Sequence, residues 1–247
     1  MTRTDSDPMG DAGDAAIDAI ETTLAAGVQA LERMPLVRRR LTAARRDWEI
    51  ACVDDQKALI DAADGLATFP FGLMLWESAI ALADHLAECP TALSGRPTLE
   101  LGCGVGLAGL AARSIGAHVV QTDHSAEALA LARRNADAHG LADIRLALGD
   151  WREWPHLGRF ETVIGADILY DEEVFGAVLR VLDRSLMPRG RIVLSDPGRP
   201  ATPRFLERLA AVADIATTTA RAVPALAPTS AGQVVVVSVI EARWRGR

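Results

Sequence analysis

The sequence lacks most of the features that would announce a class. Its three cysteines, Cys52, Cys89 and Cys103, form an odd, scattered set. A disulfide framework or a structural zinc site needs about four ligands at short spacings, so reduced, structural thiols are expected. No apolar run approaches the length of about 18 residues that suggests a membrane-crossing helix. The opening MTRTDSDPMGDAGDAAIDAIE has no basic segment followed by an apolar one, so no secretory leader is read there and the expected compartment is the cytoplasm. His85, His118, His124, His139 and His156 show no ligand spacing with carboxylates, and no metal is expected. Lysine is nearly missing: Lys57 stands alone among 26 basic residues. Positive charge is in deficit overall, with a net charge of −7, which repels a nucleic-acid backbone unless a local basic patch intervenes. One such patch exists, Arg38, Arg39, Arg40, Arg45 and Arg46 in LVRRRLTAARR. It reads as the solvated face of an N-terminal helix, with docking of an acidic partner as the alternative. Neither nucleic acid nor membrane is an expected partner.

What is present is an ordinary globular composition, 49% apolar and 24% charged, enough for a sizeable core. Residues 1–12 read as a polar, disordered tail. From Ala15 to about Arg46 apolar residues fall at helical spacing, with a break at Met34-Pro35. WEIACV (48–53) reads as a short strand, Gly65 and Pro70 open a loop, and Leu75 to Leu86 reads as a helix ended by Cys89-Pro90. Residues 13–90 are thus expected to form a helical extension or cap, and 91–247 the main domain. From Pro97 short apolar runs alternate with helical segments: TLELG, LAGLAARSI, HVVQTD, SAEALALARRNADAHG, IRLALGD, ETVIGADILY, EEVFGAVLRVLDRSL, RIVLSD and TPRFLERLAAVA. That alternation implies crossover units and a parallel sheet covered on both faces. DIATTTARAV and QVVVVSVIEARW then follow with no helix between them, which predicts an antiparallel hairpin closing the sheet. The predicted fold is α/β: a Rossmann-like, mostly parallel seven-stranded sheet.

The sharpest local motif is Glu100-Leu101-Gly102-Cys103-Gly104-Val105-Gly106, at the end of the first strand of that series. Glycines there let the backbone turn tightly and approach a ligand, beside a helix N-terminus with free N–H groups. Gly104-x-Gly106-x-x-Gly109 also satisfies a dinucleotide fingerprint. Three residues separate the readings. Glu100 would repel a pyrophosphate but favours a ligand carrying an amino group and a sulfonium. Asp123, ending the next strand, suits two ribose hydroxyls in either ligand. Asp150 can accept from an adenine amine and Trp151 offers the purine a flat wall, although a turn residue and plain core packing explain these two as well. The set favours S-adenosylmethionine over NAD, as does the antiparallel terminal hairpin.

The fourth strand of the series delivers Gly165-Ala166-Asp167-Ile168-Leu169-Tyr170 to the sheet edge where ligands of open α/β sheets bind. Asp167 and Tyr170 could flank an incoming nucleophile; a helix cap and a buried ring are the alternative readings. ELGCGVGLAGLAA, the Thr122-Asp123 and Asp150-Trp151 pairs and GADILYDEEVFGAVLRVL together resemble the seven-strand lysine methyltransferases of the family-16 group. So does Leu75-Trp76-Glu77-Ser78-Ala79, and the resemblance spans roughly residues 70–200. It implies a protein-lysine N-methyltransferase in which Trp76, Gly102, Cys103, Gly104, Asp123, Trp151 and Ala166 line the cofactor site, while Asp167 and Tyr170 receive the lysine. The segment Ser195-Asp196-Pro197-Gly198-Arg199-Pro200 is similar to members that modify the electron-transfer flavoprotein β subunit, a strand-exit turn being the plain alternative. A small-molecule methyltransferase on the same fold, an NAD-dependent oxidoreductase and a non-catalytic binding module remain open, because fold does not fix substrate.

Overall fold

The computed structural model describes residues 20–62, 70–227, 230 and 232–246; the tail predicted over 1–12 and the loop position Gly65 lie outside them. The N-terminal part departs from the helical reading. Helix α1 (Ile20–Leu31) ends before Met34-Pro35, and the chain then forms an antiparallel hairpin of β1 (Leu36–Ala43) and β2 (Arg46–Val53). The arginine cluster therefore sits on the two strands of this hairpin and its turn, not on a helix. Arg38 and Arg40 share the outward face of β1 and both reach Glu49, while Trp48, Ile50 and Cys52 of β2 are buried. Such exposed ion pairs add little to stability, because water screens them and holding two long side chains together costs entropy.

Tertiary contact explains why the hairpin wins. Asn135, buried beneath it, accepts from Ala51 N–H at 2.8 Å and donates to Ala51 O at 3.1 Å and to Val105 O at 2.9 Å. Its two turn residues, Ala44 and Arg45, have φ of +53° and +57°. Tight hairpin turns place Asn or Gly there, so nothing local in the sequence announced the turn.

Beyond the hairpin come α2 (Gln56–Ala62) and α3 (Glu77–Leu86), then the predicted alternation. It runs β3 (Pro97–Leu101), α4 (Leu107–Ser114), β4 (His118–Asp123), α5 (Ala126–Ala138), β5 (Arg145–Leu148), β6 (Phe160–Ala166), α6 (Phe175–Ser185), β7 (Leu186–Asp196), α7 (Thr202–Ala210), β8 (Ala213–Pro224) and β9 (Val234–Trp244). The seven-stranded sheet has the order β5-β4-β3-β6-β7-β9-β8. Strands β3 to β7 are parallel, and β9 runs antiparallel to both β7 and β8, as the missing helix between the last two runs requires. One sheet face packs on α1, the hairpin, α3, α4 and α5; the other packs on α6 and α7, where the Phe175 and Phe205 rings meet edge-on at 5.1 Å. No helix among the described residues is long and apolar enough to cross a membrane.

The chain winds outward from β3 to β5, then returns to β6 on the other side of β3 and winds outward to β7. The carboxyl ends of β3 and β6 therefore flank the switch point, the crevice where open α/β sheets bind ligands.

Candidate active site

At the end of β3 the backbone enters the left-handed region at Gly102 (φ +61°), Gly104 (φ +51°) and Gly106 (φ +89°). Side chains here would collide: a Cβ at Gly102 would lie 3.1 Å from the Ile168 side chain and 3.4 Å from the Trp151 ring, and one at Gly104 would lie 3.0 Å from Gly72 O. Gly102, Cys103 and Gly104 line a cavity of about 680 Å³. Gly106 does not. It caps α4 from behind, where a Cβ would press on the Gln121 amide at 3.0 Å, so its role is to let the helix start against β4.

Asp123, 5% exposed at the end of β4, splits its carboxylate: one oxygen accepts from Gly104 N–H and the other from Ser125 N–H, each at 3.0 Å. It also lies 3.3 Å from the His124 ring and pushes that imidazole's pKa up through this hydrogen bond. Glu100 sits under the glycine loop. Burial pushes its pKa up to about 8, against the hydrogen bonds from Gln121 and the Gly109 N–H. The Gln121 amide donates to Glu100 at 2.7 Å and to Gly106 O at 2.8 Å, tying β3, β4 and the start of α4 together. Burial likewise holds the Cys103 thiol well above its usual range, which makes it wall material, not a nucleophile.

Asp150 and Trp151 follow β5. The Asp150 carboxylate accepts from Arg152 N–H at 2.8 Å in a local turn and remains exposed, while the indole of Trp151 packs against Gly102 in the cavity wall. Trp76, just before α3, also lines the cavity and donates its indole N–H to Phe71 O at 3.2 Å. Ala166 closes β6.

Asp167 has a φ of +55°, a strained conformation for a residue with a side chain. Its N–H donates to Ser195 O at 2.8 Å, and its carboxylate receives both arms of Arg199, Nε at 2.8 Å and Nη2 at 2.7 Å. The helix cap in this region is Asp171, not Asp167. Turning the chain at Asp167 tucks Ile168 back against Gly165 and Gly102, while Tyr170, 56% exposed, stands at the cavity mouth. Although the residue as a whole is half exposed, partial desolvation of its phenol is the main cause holding the pKa above the usual value, with the nearby carboxylates adding to it.

Of the residues assigned to the cofactor and acceptor sites from the sequence, all but Gly106 line this one cavity. Two parts of the wall were not foreseen. The Phe71–Leu73 turn brings Gly72 against Gly104, a contact that the glycine of PFG could have suggested. Arg199 lies in the Ser195–Pro200 turn already noted for its resemblance, but its place in the wall beside Asp167 follows from the adjacency of β6 and β7.

A methyltransferase domain family model matches residues 93–231. Protein N-lysine methyltransferase METTL21A of Mus musculus is 32% identical over 116 residues, 44% of this chain and 53% of that protein. The electron transfer flavoprotein beta subunit lysine methyltransferase of Danio rerio is 29% identical over 132 residues, 53% of this chain and 51% of that one. The chain thus spans about half the length of these curated relatives. Among solved structures, the N-methyltransferase NodS from Bradyrhizobium japonicum, in complex with S-adenosyl-L-homocysteine, covers 66% of this chain and 85% of its own with a TM-score of 0.53 at 16% identity, a likeness of fold. With its core and glycine loop inside the matched span, the chain belongs to the methyltransferase domain family.

Proposed function

We propose that the protein transfers a methyl group from S-adenosylmethionine to a lysine side chain of another protein. The observation that carries this reading is a cavity at the switch point that joins the glycine loop and Asp123 to Asp167 and Tyr170. Its volume of about 680 Å³ suits a nucleoside-sized ligand with room for an acceptor chain. The wall fits that cofactor: backbone left bare at Gly102 and Gly104, a buried acid at Asp123 for ribose hydroxyls, the Trp151 indole for a purine, and Asp150 for its amine. Glu100 would compensate a cationic amino-acid end.

The bound cofactor would supply a methyl already activated on a sulfonium, so the residues have mainly to align the acceptor. A lysine amine has an ordinary pKa of about 10.4 and must lose a proton before it attacks. Asp167 would accept an N–H of that amine and orient it, and the Tyr170 ring would wall its approach. Both relatives named above are lysine methyltransferases, which favours lysine as the acceptor; a cytoplasmic setting goes with this reading.

Label transfer from methyl-tritiated S-adenosylmethionine into a desalted lysate of the source cell, separated by size, tests the proposal. A discrete protein band that hydrolyses to methyl-lysine is the expected result; Lys57 is the one possible site of lysine self-labelling. Label confined to small molecules when undesalted extract is supplied would favour a small-molecule acceptor and remove the roles given to Asp167 and Tyr170.

A further inference from the structure

The carboxylate proposed to orient the acceptor is already engaged by a guanidinium, and the fold goes to some length to arrange this. Asp196, at the end of β7 and 1% exposed, accepts the N–H groups of Gly198 and Arg199 on one oxygen, each at 2.8 Å. That fixes the turn, with Gly198 at φ +92°, and aims Arg199 back across the exit of β6. The left-handed backbone at Asp167 turns its carboxylate to meet it, and the two side chains pair through two parallel bonds. The Asp167 side chain is 6% exposed and that of Arg199 38%, and both residues line the cavity.

We propose that Arg199 is a positioning residue for methyl transfer: it locks the Asp167 carboxylate and offsets its charge, so that an acceptor amine is oriented there yet arrives unprotonated. This rests on the lysine reading above. A carboxylate offers about four lone-pair sites, and the guanidinium takes one on each oxygen. The remaining ones can accept an amine N–H. An unpaired carboxylate within about 4–6 Å of the amine would stabilise its ammonium form by about 1–3 pK units, opposing the deprotonation the reaction needs. Pairing with a permanent cation reduces that penalty while leaving the hydrogen bond. In the step itself the amine, its proton already lost to solvent, forms the new N–C bond with its lone pair. The S–C bond breaks with its electron pair returning to sulfur, leaving a neutral thioether and a methylammonium.

Other titratable groups surround the pair: Asp196 lies on its own turn, and Tyr170 and Asp171 follow β6. The same cavity is lined by Glu100 and Cys103 at the glycine loop, Asp123 and His124 at the end of β4, and Asp150 and Arg152 after β5. His124 can titrate in the working range, so the comparison is between variants that all retain it.

The test compares Arg199→Gln and Arg199→Lys with the full-length wild type, using methyl-tritiated S-adenosylmethionine and the protein band labelled in lysate, purified as acceptor. Melting curves and cofactor affinity verify that each variant is folded. For Arg199→Gln the acid limb of the kcat profile should move to higher pH by about one unit, so that kcat near neutrality falls about tenfold, while KM for the acceptor holds or drops. Arg199→Lys should restore most of the profile. A substrate-free readout is built in, because Tyr170 is the one tyrosine of the chain. At a fixed alkaline pH, Arg199→Gln should show less tyrosinate absorbance than wild type, with Tyr170→Phe as the blank. A profile that does not move, with kcat falling and KM rising together, would mark Arg199 as merely structural and overturn the proposal; so would unchanged tyrosinate. A wild type that labels no protein overturns the lysine reading and this inference with it, whereas labelling with an unmoved profile overturns the inference alone.

Discussion

On the β3–β4 side of the cavity the polar groups are sunk into the fold and held by near neighbours in space. Glu100 is 2% exposed under the loop, and Asp123 spends both oxygens on backbone N–H groups next to it. On the β6–β7 side the groups are held by reach: Asp167 is met by Arg199 from 32 residues away, and Tyr170 is open to solvent. The first construction suits one invariant ligand, since burial and bare backbone define a shape that cannot adjust. The second suits an acceptor presented by another molecule, which must enter, be aligned and leave.

If that division is right, damage to the two sides separates in the kinetics. The largest effect is expected for Asp167→Ala, which should lower transfer by about a hundredfold or more, the scale of losing alignment at the reacting atoms. Cofactor affinity, read by isothermal titration, should change little. Lost cofactor binding in this variant would merge the two halves and end the comparison. Asp123→Ala comes next and should behave oppositely. Losing charge-assisted hydrogen bonds of about 1.5–3 kcal/mol should weaken cofactor binding roughly tenfold to hundredfold. The Gly104 and Ser125 N–H groups would lose their acceptor too, so the melting temperature should also fall. Unchanged affinity would remove Asp123 from the site.

How far the sequence could be read follows the same contrast. The strands and helices from Pro97 on carry their own periodicities, and β4 falls on HVVQTD as predicted. The terminal hairpin was visible because two β-branched runs had no helix between them. The stretch from Leu36 to Val53 was misread in its first half because its turn, Ala44-Arg45, has neither Asn nor Gly, and because the bonds that hold it come from Asn135, far along the chain. In the site, residues at strand ends could be named because the topology sends every such end to one edge. Gly106 belongs to the glycine motif by its spacing, but in space it caps α4 and lies off the cavity wall. Arg199 could be picked out only as part of the Ser195–Pro200 resemblance and without a role, because its partnership with Asp167 is written in the adjacency of β6 and β7.

The smallest effect is the most selective test of the buried side. Glu100 has a pKa of about 8 against an ordinary 4.5, so between these values the folded chain holds a proton that the unfolded chain has released. Its contribution to stability is therefore full below about pH 4.5 and is lost as pH rises through about 8. Glu100→Gln, neutral throughout, should flatten that part of the stability curve measured by denaturant titration without changing the fold. A cationic ligand end near this group would favour the carboxylate, so cofactor affinity in the wild type should rise with pH up to about 8 and release a proton on binding. In Glu100→Gln the affinity should be weaker and level over the same range. If instead the variant kept the wild-type slope, the proton would belong to another group, His124 first among them, and Glu100 would be only a brace for the glycine loop. The buried side would then recognise the cofactor by shape and by Asp123, without a matched charge.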